Sequence, residues 1–196
     1  CGISVFPDIS ADGRELIHNV EQAVYFGKLD GKGHLIVYRK GLENRSQNPD
    51  IRTAYERVAP TIYALTAAID AKDNFTFIHS MNVSKYAVML AEALHMTDND
   101  IEVVRVAGML HDIGKISIPE HILKKTEGLT PEEYAIMKTH VENSIKMIRY
   151  LPNMDYVIPA VVAHHERYDG TGYPRGLKGT EIPLMGRILT IADCFD

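Results

Sequence analysis

The chain has 196 residues, of which 45% are hydrophobic and 24% charged, a balance typical of folded globular domains. This composition excludes a disordered chain and predicts one domain, or one domain with part of a second. The net charge of −5 argues against a broad nucleic-acid-binding surface, although it leaves open a local basic pocket for a phosphate ligand.

The sequence also limits where the chain is expected to work. No apolar run approaches the roughly 18 residues of a membrane span, and no secretory signal is recognisable. The two cysteines, Cys1 and Cys194, exclude a disulfide framework and favour a reducing, cytoplasmic environment. Because the sequence starts with Cys1 instead of methionine, we expect a fragment of a longer protein.

The first 40 residues predict a strand–helix–strand unit. Apolar runs at residues 1–6 and 34–39 favour strands, and apolar residues at helical spacing predict a helix over residues 12–29. Two strands and one helix bury too little surface to fold alone. The polar residues 41–50, with glycine, asparagine and proline, are typical of a linker.

The rest of the chain has the 3.6-residue period of helices and predicts a mainly α domain. Helices are expected over residues 51–71, 75–95, 100–111, 130–150, 155–166 and 183–196. Pro60 predicts a kink or a break in the first of them. Thr130, Pro131 and Glu133 form the pattern of a capping box with proline in the first helical position.

Residue types that bind metals recur near the ends of these helices. They are His79, His111, Asp112, His140, His164, His165 and Asp193. Since no two of the helices share a short ligand motif, a site would need them to converge, as in a bundle core. Imidazoles and carboxylates suit iron, manganese or zinc, and two metals bridged by a carboxylate are a recurrent solution for phosphoester hydrolysis.

Each of these residues also has a plainer interpretation. A lone His79 or His140 on a helix can be a packed or surface histidine, and His111 with Asp112 can cap a helix end. Asp193 is harder to explain this way, because an acid within an apolar stretch is costly to bury unless it is paired or bound to metal. The glycine-rich segment 167–180 is either a flexible surface loop or a functional one.

Two motifs make the combined interpretation specific. HDIGK at residues 111–115 and HHERYDGTGYP at residues 164–174, with ADCFD at the end, closely resemble the HD-GYP family of metal-dependent phosphohydrolases. The resemblance covers about residues 64–196. It implies an HD-type helical bundle that holds a metal centre and hydrolyses cyclic di-GMP, a bacterial second messenger, to pGpG and onward to GMP.

The resemblance also implies roles for individual residues. His79, His111, Asp112 and Asp193 would hold one metal, and Asp112 would bridge to a second held by His140, His164 and His165. Lys115 would lie beside the scissile phosphate, and with Asp112 it forms the expected catalytic pair. The expected substrate-binding residues are Lys115, Arg167, Gly172, Tyr173, Arg175 and Lys178. Tyr173 could stack on a guanine or pack the loop down. Arg167, Arg175 and Lys178 are candidates for phosphate contact, although a solvated charge is the more common fate of each.

Three departures from the family pattern qualify this picture. Phe75 stands where some members carry a glutamate that binds a third metal, so we expect two ions, iron or manganese. Val141 and Ser144 stand where the family commonly has proline and glycine, which predicts altered geometry around His140. The chain stops at Asp196, before the family's basic nucleotide-binding residues, so we expect a domain that is shortened at its end.

Residues 1–40 resemble the C-terminal end of a GGDEF domain, without the namesake loop. The expected organisation is a GGDEF-like fragment (1–40), a linker and connecting helix (41–72), and an HD-GYP domain (73–196). A GGDEF domain is thus an expected partner, and the connecting helix could pair in a homodimer. The alternatives to the phosphodiesterase are a catalytically impaired HD-GYP module that binds cyclic dinucleotide or a partner protein, and an HD phosphohydrolase acting on ordinary nucleotides.

Overall fold

The structure is a computed structural model that describes residues 2–3, 13, 16–17, 19–20, 23–24, 36–38, 51–73 and 76–196. The linker at residues 41–50 and Phe75 lie outside the described residues, as do most positions of the first predicted unit. Within the described part the protein is mainly helical, as the sequence predicts. Among these residues, none of the helices combines the length and apolar character that a membrane span requires.

The first unit contains two short strands that pair in parallel. Strand β1 (Gly2–Ile3) lies beside β2 (Ile36–Val37), with Gly2 opposite Ile36. Parallel neighbours need a crossover between them, and the described residues in between, such as Leu16 and Val20, are helical. The predicted strand–helix–strand order therefore agrees with the structure where its residues are described.

Three long helices follow and pack against one another. They are α1 (Ile51–Asp73), α2 (Thr76–Ala93) and α3 (Asp98–Leu110). Helix α1 continues through Pro60, so the predicted break does not occur. Burial of Val58, Ile62 and Ile69 along one face holds the helix together on both sides of the proline, which removes only local hydrogen bonding.

The second half of the domain alternates short and long elements. They are a 3₁₀ turn at Ile113–Ser117, α4 (Glu120–Leu123), α5 (Pro131–Ile148), a 3₁₀ turn at Asp155–Val157, α6 (Ile158–Ala163), a 3₁₀ turn at Gly179–Glu181, and α7 (Leu184–Phe195). The capping box of α5 is confirmed: the Glu133 amide donates to the Thr130 hydroxyl at 3.2 Å, and the Thr130 amide donates to the Glu133 carboxylate at 2.8 Å.

The single helix predicted over residues 155–166 is wrong. The structure has a 3₁₀ turn followed by the six-residue helix α6, which starts next to Pro159 and ends before His164. Proline lacks the amide that a continuous helix would use, and it favours the first turn of a new one. Because α6 ends at Ala163, the two adjacent histidines leave the helix together.

Close contacts between helices bring their ends to one place. Helix α7 packs on both α2 and α6, and a Cβ on Gly186 would come within 2.6 Å of the Ala163 side chain. On α3, a Cβ on Gly108 would meet the backbone of Ser84 at 2.5 Å. These positions tolerate only glycine, so the backbones approach closely, and the ligand-bearing ends of α2, α3, α6 and α7 converge.

Candidate metal centre

The seven metal-ligating residues predicted from the sequence lie together in the structure. They come from α2, the end of α3, the turn after α3, α5, the end of α6, and α7: His79, His111, Asp112, His140, His164, His165 and Asp193. Their ligand atoms form two groups, each with its atoms within 4.8 Å of one another. One group contains Asp112, His140, His164 and His165, and the other contains His79, His111 and Asp193.

The Asp112 carboxylate lies between the two groups. Its Oδ2 atom is 3.2 Å from His111 Nε2 and 3.9 Å from His79 Nε2, whereas Oδ1 is 3.3 Å from His140 Nε2. The side chain is 3% exposed. Each oxygen therefore faces a different group of histidines, which is the arrangement of a carboxylate that bridges two cations.

Hydrogen bonds orient the histidine rings toward the centre. His111, His140 and His164 each donate Nδ1–H to the backbone carbonyl three residues earlier, at 2.8, 2.8 and 2.5 Å. His79 places Nδ1 2.8 Å from the Asp196 carboxylate and Nε2 3.1 Å from Asp193. Fixing Nδ1 as a donor leaves the lone pair of Nε2 available to bind a metal.

Four buried ligand atoms have no hydrogen-bond partner among the described residues: the Nε2 atoms of His111, His140 and His164, and Asp112 Oδ1. Leaving a buried polar atom unpaired costs about 1–3 kcal/mol, so a fold seldom collects four of them in one place without a ligand. The donors are imidazole and carboxylate, whereas Cys194 is exposed and adds no thiolate. This donor set fits a divalent iron, manganese or zinc ion.

Burial and charge shift the pKa values of the histidines in the two groups in opposite directions. Burial lowers the pKa of His140, lowers that of His165 to about 4, and holds that of His164 well below its usual value. Burial also opposes charge on His111, but the neighbouring Asp112 carboxylate raises the pKa of His111 to about 10. The imidazoles of His140, His164 and His165 are therefore neutral at neutral pH, the form that binds a metal, whereas His111 carries a proton that a metal would have to displace.

Lys115 lies at the edge of the centre. Its Nζ atom is 2.6 Å from Asp112 Oδ2, and the side chain is 25% exposed. Despite the cost of burial, the charges of His111 and Lys115 hold the pKa of Asp112 well below its usual value. The site thus offers an ionised bridging carboxylate with a partly exposed ammonium group beside it.

A serine joins the turn that carries Asp112 to the helix that carries His140. The Ser144 hydroxyl accepts from the Gly114 amide and donates to the His111 carbonyl, both at 2.8 Å. Ser144 is fully buried, and a Cβ on Gly114 would collide with the backbone of α5. Ser144, one of the two departures noted around His140, therefore forms a specific bridge, and its only signal in the sequence is the unusual serine itself. The altered geometry around His140 stays a prediction.

The loop after His165 is held by a buried carboxylate that we did not single out in the sequence. Both Glu166 oxygens accept backbone amides: Oε1 from Arg175 at 2.6 Å and Gly176 at 3.1 Å, and Oε2 from Leu177 at 2.9 Å. A Cβ on Gly172 would collide with the backbone of Glu166. The glycine is therefore needed for the loop to pack on its own base, and its contact with a substrate stays a prediction.

The predicted substrate-binding residues of this loop differ in their surroundings. The Tyr173 ring lies 4.8 Å from the His165 ring at 31° and packs against the hydrophobic core. Arg175 forms an ion pair with Glu142 on α5. Arg167 and Lys178 are exposed and belong to neither ligand group. The structure thus brings Tyr173 against His165, a member of one of the two groups, and it leaves Arg167 and Lys178 on the surface.

A family model described as an HD domain matches residues 60–196. The chain belongs to the HD-domain family. The matched span contains all seven ligand-type residues, Lys115 and the glycine-rich loop.

Curated relatives in this family are named as cyclic dinucleotide phosphodiesterases. The 3'3'-cGAMP-specific phosphodiesterase 2 of Vibrio cholerae serotype O1 is 36% identical over 166 residues, which are 83% of this chain and 31% of that protein. The cyclic di-GMP phosphodiesterase of Thermotoga maritima is 42% identical over 127 residues, 64% of this chain and 34% of that protein. The chain therefore spans about a third of the length of these relatives.

A solved structure shares the fold. Bd1817, described as a HDG"Y"P protein from Bdellovibrio bacteriovorus, superposes with a TM-score of 0.54 at 18% identity. The match covers 95% of this chain and 61% of the Bd1817 chain. At this level of identity the likeness concerns the fold alone. It agrees with the HD-type helical arrangement that the motifs predict.

Proposed function

We propose that this protein is a metal-dependent phosphodiesterase that hydrolyses cyclic di-GMP to linear pGpG, which further hydrolysis would convert to GMP. The observation that carries the proposal is the Asp112 carboxylate between two groups of histidines. The buried Nε2 atoms of His111, His140 and His164 make no hydrogen bond among the described residues. The names of the relatives support a cyclic dinucleotide as substrate.

We propose that two divalent ions, iron or manganese, occupy the centre. Asp112 would bridge them; His79, His111 and Asp193 would complete one site, and His140, His164 and His165 the other. The ions would supply Lewis acidity and a water molecule activated for attack. Two separate ligand groups on either side of one carboxylate support the number two.

The residues of the chain would then position the reacting groups. Oxygen from water adds to phosphorus while the bond from phosphorus to the 3' oxygen breaks; the water proton ends on the departing 3' oxygen, and a 5' phosphate remains. Lys115 is placed to bind the phosphate oxygens, because its ammonium lies beside Asp112 and is partly open to solvent. Charge that develops in the transition state would be stabilised by this fixed cation.

The test is the metal content of protein purified without oxygen or chelator, together with chromatography of the products formed from cyclic di-GMP. We expect about two ions per chain and conversion to pGpG, both lost in the Asp112→Asn variant. The matched control is Asp98→Asn, an exposed carboxylate at the opposite end of α3. Metal near zero in the unmodified protein, or turnover that survives in Asp112→Asn, would contradict the proposal.

We also propose the domain organisation expected from the sequence: a GGDEF-like fragment at 1–40, a linker and helix at 41–72, and the HD-GYP domain at 73–196. The parallel pairing of β1 with β2 across helical residues supports an α/β unit at the start. Limited proteolysis should cut within residues 41–50 and release a metal-binding fragment. A cytoplasmic location and a homodimer through α1 belong to the same proposal, and light scattering of the purified chain would test the dimer.

A further inference from the structure

Three aromatic rings lead outward from the metal centre. Tyr173 lies 4.8 Å from the ring of the ligand-group residue His165, and its other neighbour is Tyr134 on α5, at 6.2 Å and 84°. These distances place the Tyr134 ring at most about 11 Å from His165. Tyr134 is 46% exposed, so much of its ring stays accessible after these contacts.

A lysine lies beside the outer two rings. Lys138, one turn after Tyr134 on α5, places its ammonium 5.0 Å from the centre of the Tyr134 ring and 5.9 Å from that of Tyr173. A cation over a ring is attracted to the π electrons, which holds the lysine at this position without neutralising it. The edge of the centre therefore presents a flat, accessible ring together with a positive charge.

This combination matches the chemistry of a nucleotide. Every nucleobase has a face that stacks on an aromatic side chain, and the adjoining phosphates attract a fixed cation. We infer that Tyr134 stacks a nucleobase of the cyclic dinucleotide and that Lys138 contacts its non-reacting phosphate. One sugar separates base from phosphate, so a nucleotide can span the distance from the metal centre to Tyr134. The inference rests on the proposed function.

A purely structural role explains less of the arrangement. If the only role of Tyr134 were to hold Tyr173 in place, the conformation of the loop after His165 would depend on the Tyr134 ring. That loop is already held by three backbone amides bound to the buried Glu166. Tyr134 also keeps nearly half of its surface exposed, so its ring is accessible to a ligand. Substrate recognition accounts for both the exposed ring and the neighbouring ammonium.

The experiment measures binding and turnover separately in the metal-loaded protein. Binding is followed by anisotropy of fluorophore-labelled cyclic di-GMP, and turnover by kcat/KM for cyclic di-GMP and for bis(p-nitrophenyl) phosphate. The variants are Tyr134→Ala, Tyr134→Phe and Lys138→Gln. The matched controls are Tyr150→Ala, a tyrosine that is 89% exposed beyond α5, and Lys146→Gln on the same helix.

We expect Tyr134→Ala to weaken binding of cyclic di-GMP by about 5- to 150-fold, the range for losing one stacked base. Tyr134→Phe should bind like the parent, because the ring is kept. Lys138→Gln should weaken binding and make it less sensitive to salt. The loss in kcat/KM for Tyr134→Ala should be about tenfold larger for cyclic di-GMP than for the small diester, and the controls should match the parent.

The outcomes separate this inference from the proposed function. Unchanged binding by Tyr134→Ala, or equal losses on both diesters together with lost metal, would overturn the role of Tyr134 while leaving the phosphodiesterase intact. Binding without turnover in the parent, weakened by Tyr134→Ala, would overturn the phosphodiesterase and support the recognition site. A parent that neither binds nor cleaves cyclic di-GMP would overturn both.

Discussion

Replacing Ser144 by alanine tests how the turn carrying Asp112 is held to α5. The substitution removes a hydroxyl that accepts from the Gly114 amide and donates to the His111 carbonyl, both at 2.8 Å and in a fully buried position. Each buried group that loses its partner costs about 1–3 kcal/mol, whereas alanine regains about 0.5 kcal/mol of helix propensity. Two groups lose their partner, so we expect the free energy of unfolding to fall by roughly 1.5–5.5 kcal/mol.

The assay is urea unfolding in the presence of a chelator, so that metal binding does not contribute to the measured free energy. The control is Thr139→Ala, which removes an exposed hydroxyl of the same helix that donates only to its own backbone, and it should stay within about 0.5 kcal/mol of the parent. A separate metal titration of Ser144→Ala should show affinity reduced about tenfold, as for other residues that orient ligands.

One result would refute this reasoning. If Ser144→Ala unfolds within about 0.5 kcal/mol of the parent and binds metal with the same affinity, the serine bridge does not position the centre. A residue without a hydroxyl at this position would then give the same stability and the same metal affinity as the serine. The contact between Gly114 and α5 would have to hold the turn without help.

Three further results are expected. Glu166→Gln should lower the free energy of unfolding by about 1–3 kcal/mol, because one of the two oxygens that bind the loop amides becomes a donor; an unchanged urea midpoint would contradict this. Gly172→Ala should release the loop and raise its amide exchange rates, whereas unchanged exchange would show that the collision is relieved elsewhere. Metal binding should tighten as pH rises, because His111, with a pKa of about 10, must lose a proton before it can bind a metal. His165, with a pKa of about 4, is already neutral at pH 7 and has no proton to lose. Calorimetry at pH 7 in two buffers should therefore detect proton release, and its absence would contradict the assigned protonation.

The sequence predicted local structure correctly where that structure depends on residues close together in the chain. The start of α5 followed from Thr130, Pro131 and Glu133, because a capping box lies within four consecutive residues. The prediction of one continuous helix over 155–166 was wrong because the ends of the elements in this segment are not set by its apolar pattern. Its apolar pattern could not show that Pro159 starts a new helix, nor that α6 would end at Ala163.

The sequence by itself determined which residue types were available to a metal centre, and its motifs pointed to the family. Only the tertiary structure decided how they combine: each Asp112 oxygen faces a different group of histidines, and the Ser144 hydroxyl joins the turn that carries Asp112 to α5. Glu166 lies within a recognised motif, but only the structure shows that its two oxygens bind the amides of the loop. The physical reason is distance along the chain. His79 and Asp193 lie 3.1 Å apart although more than a hundred residues separate them, and such a contact depends on how whole helices pack, which no local pattern encodes.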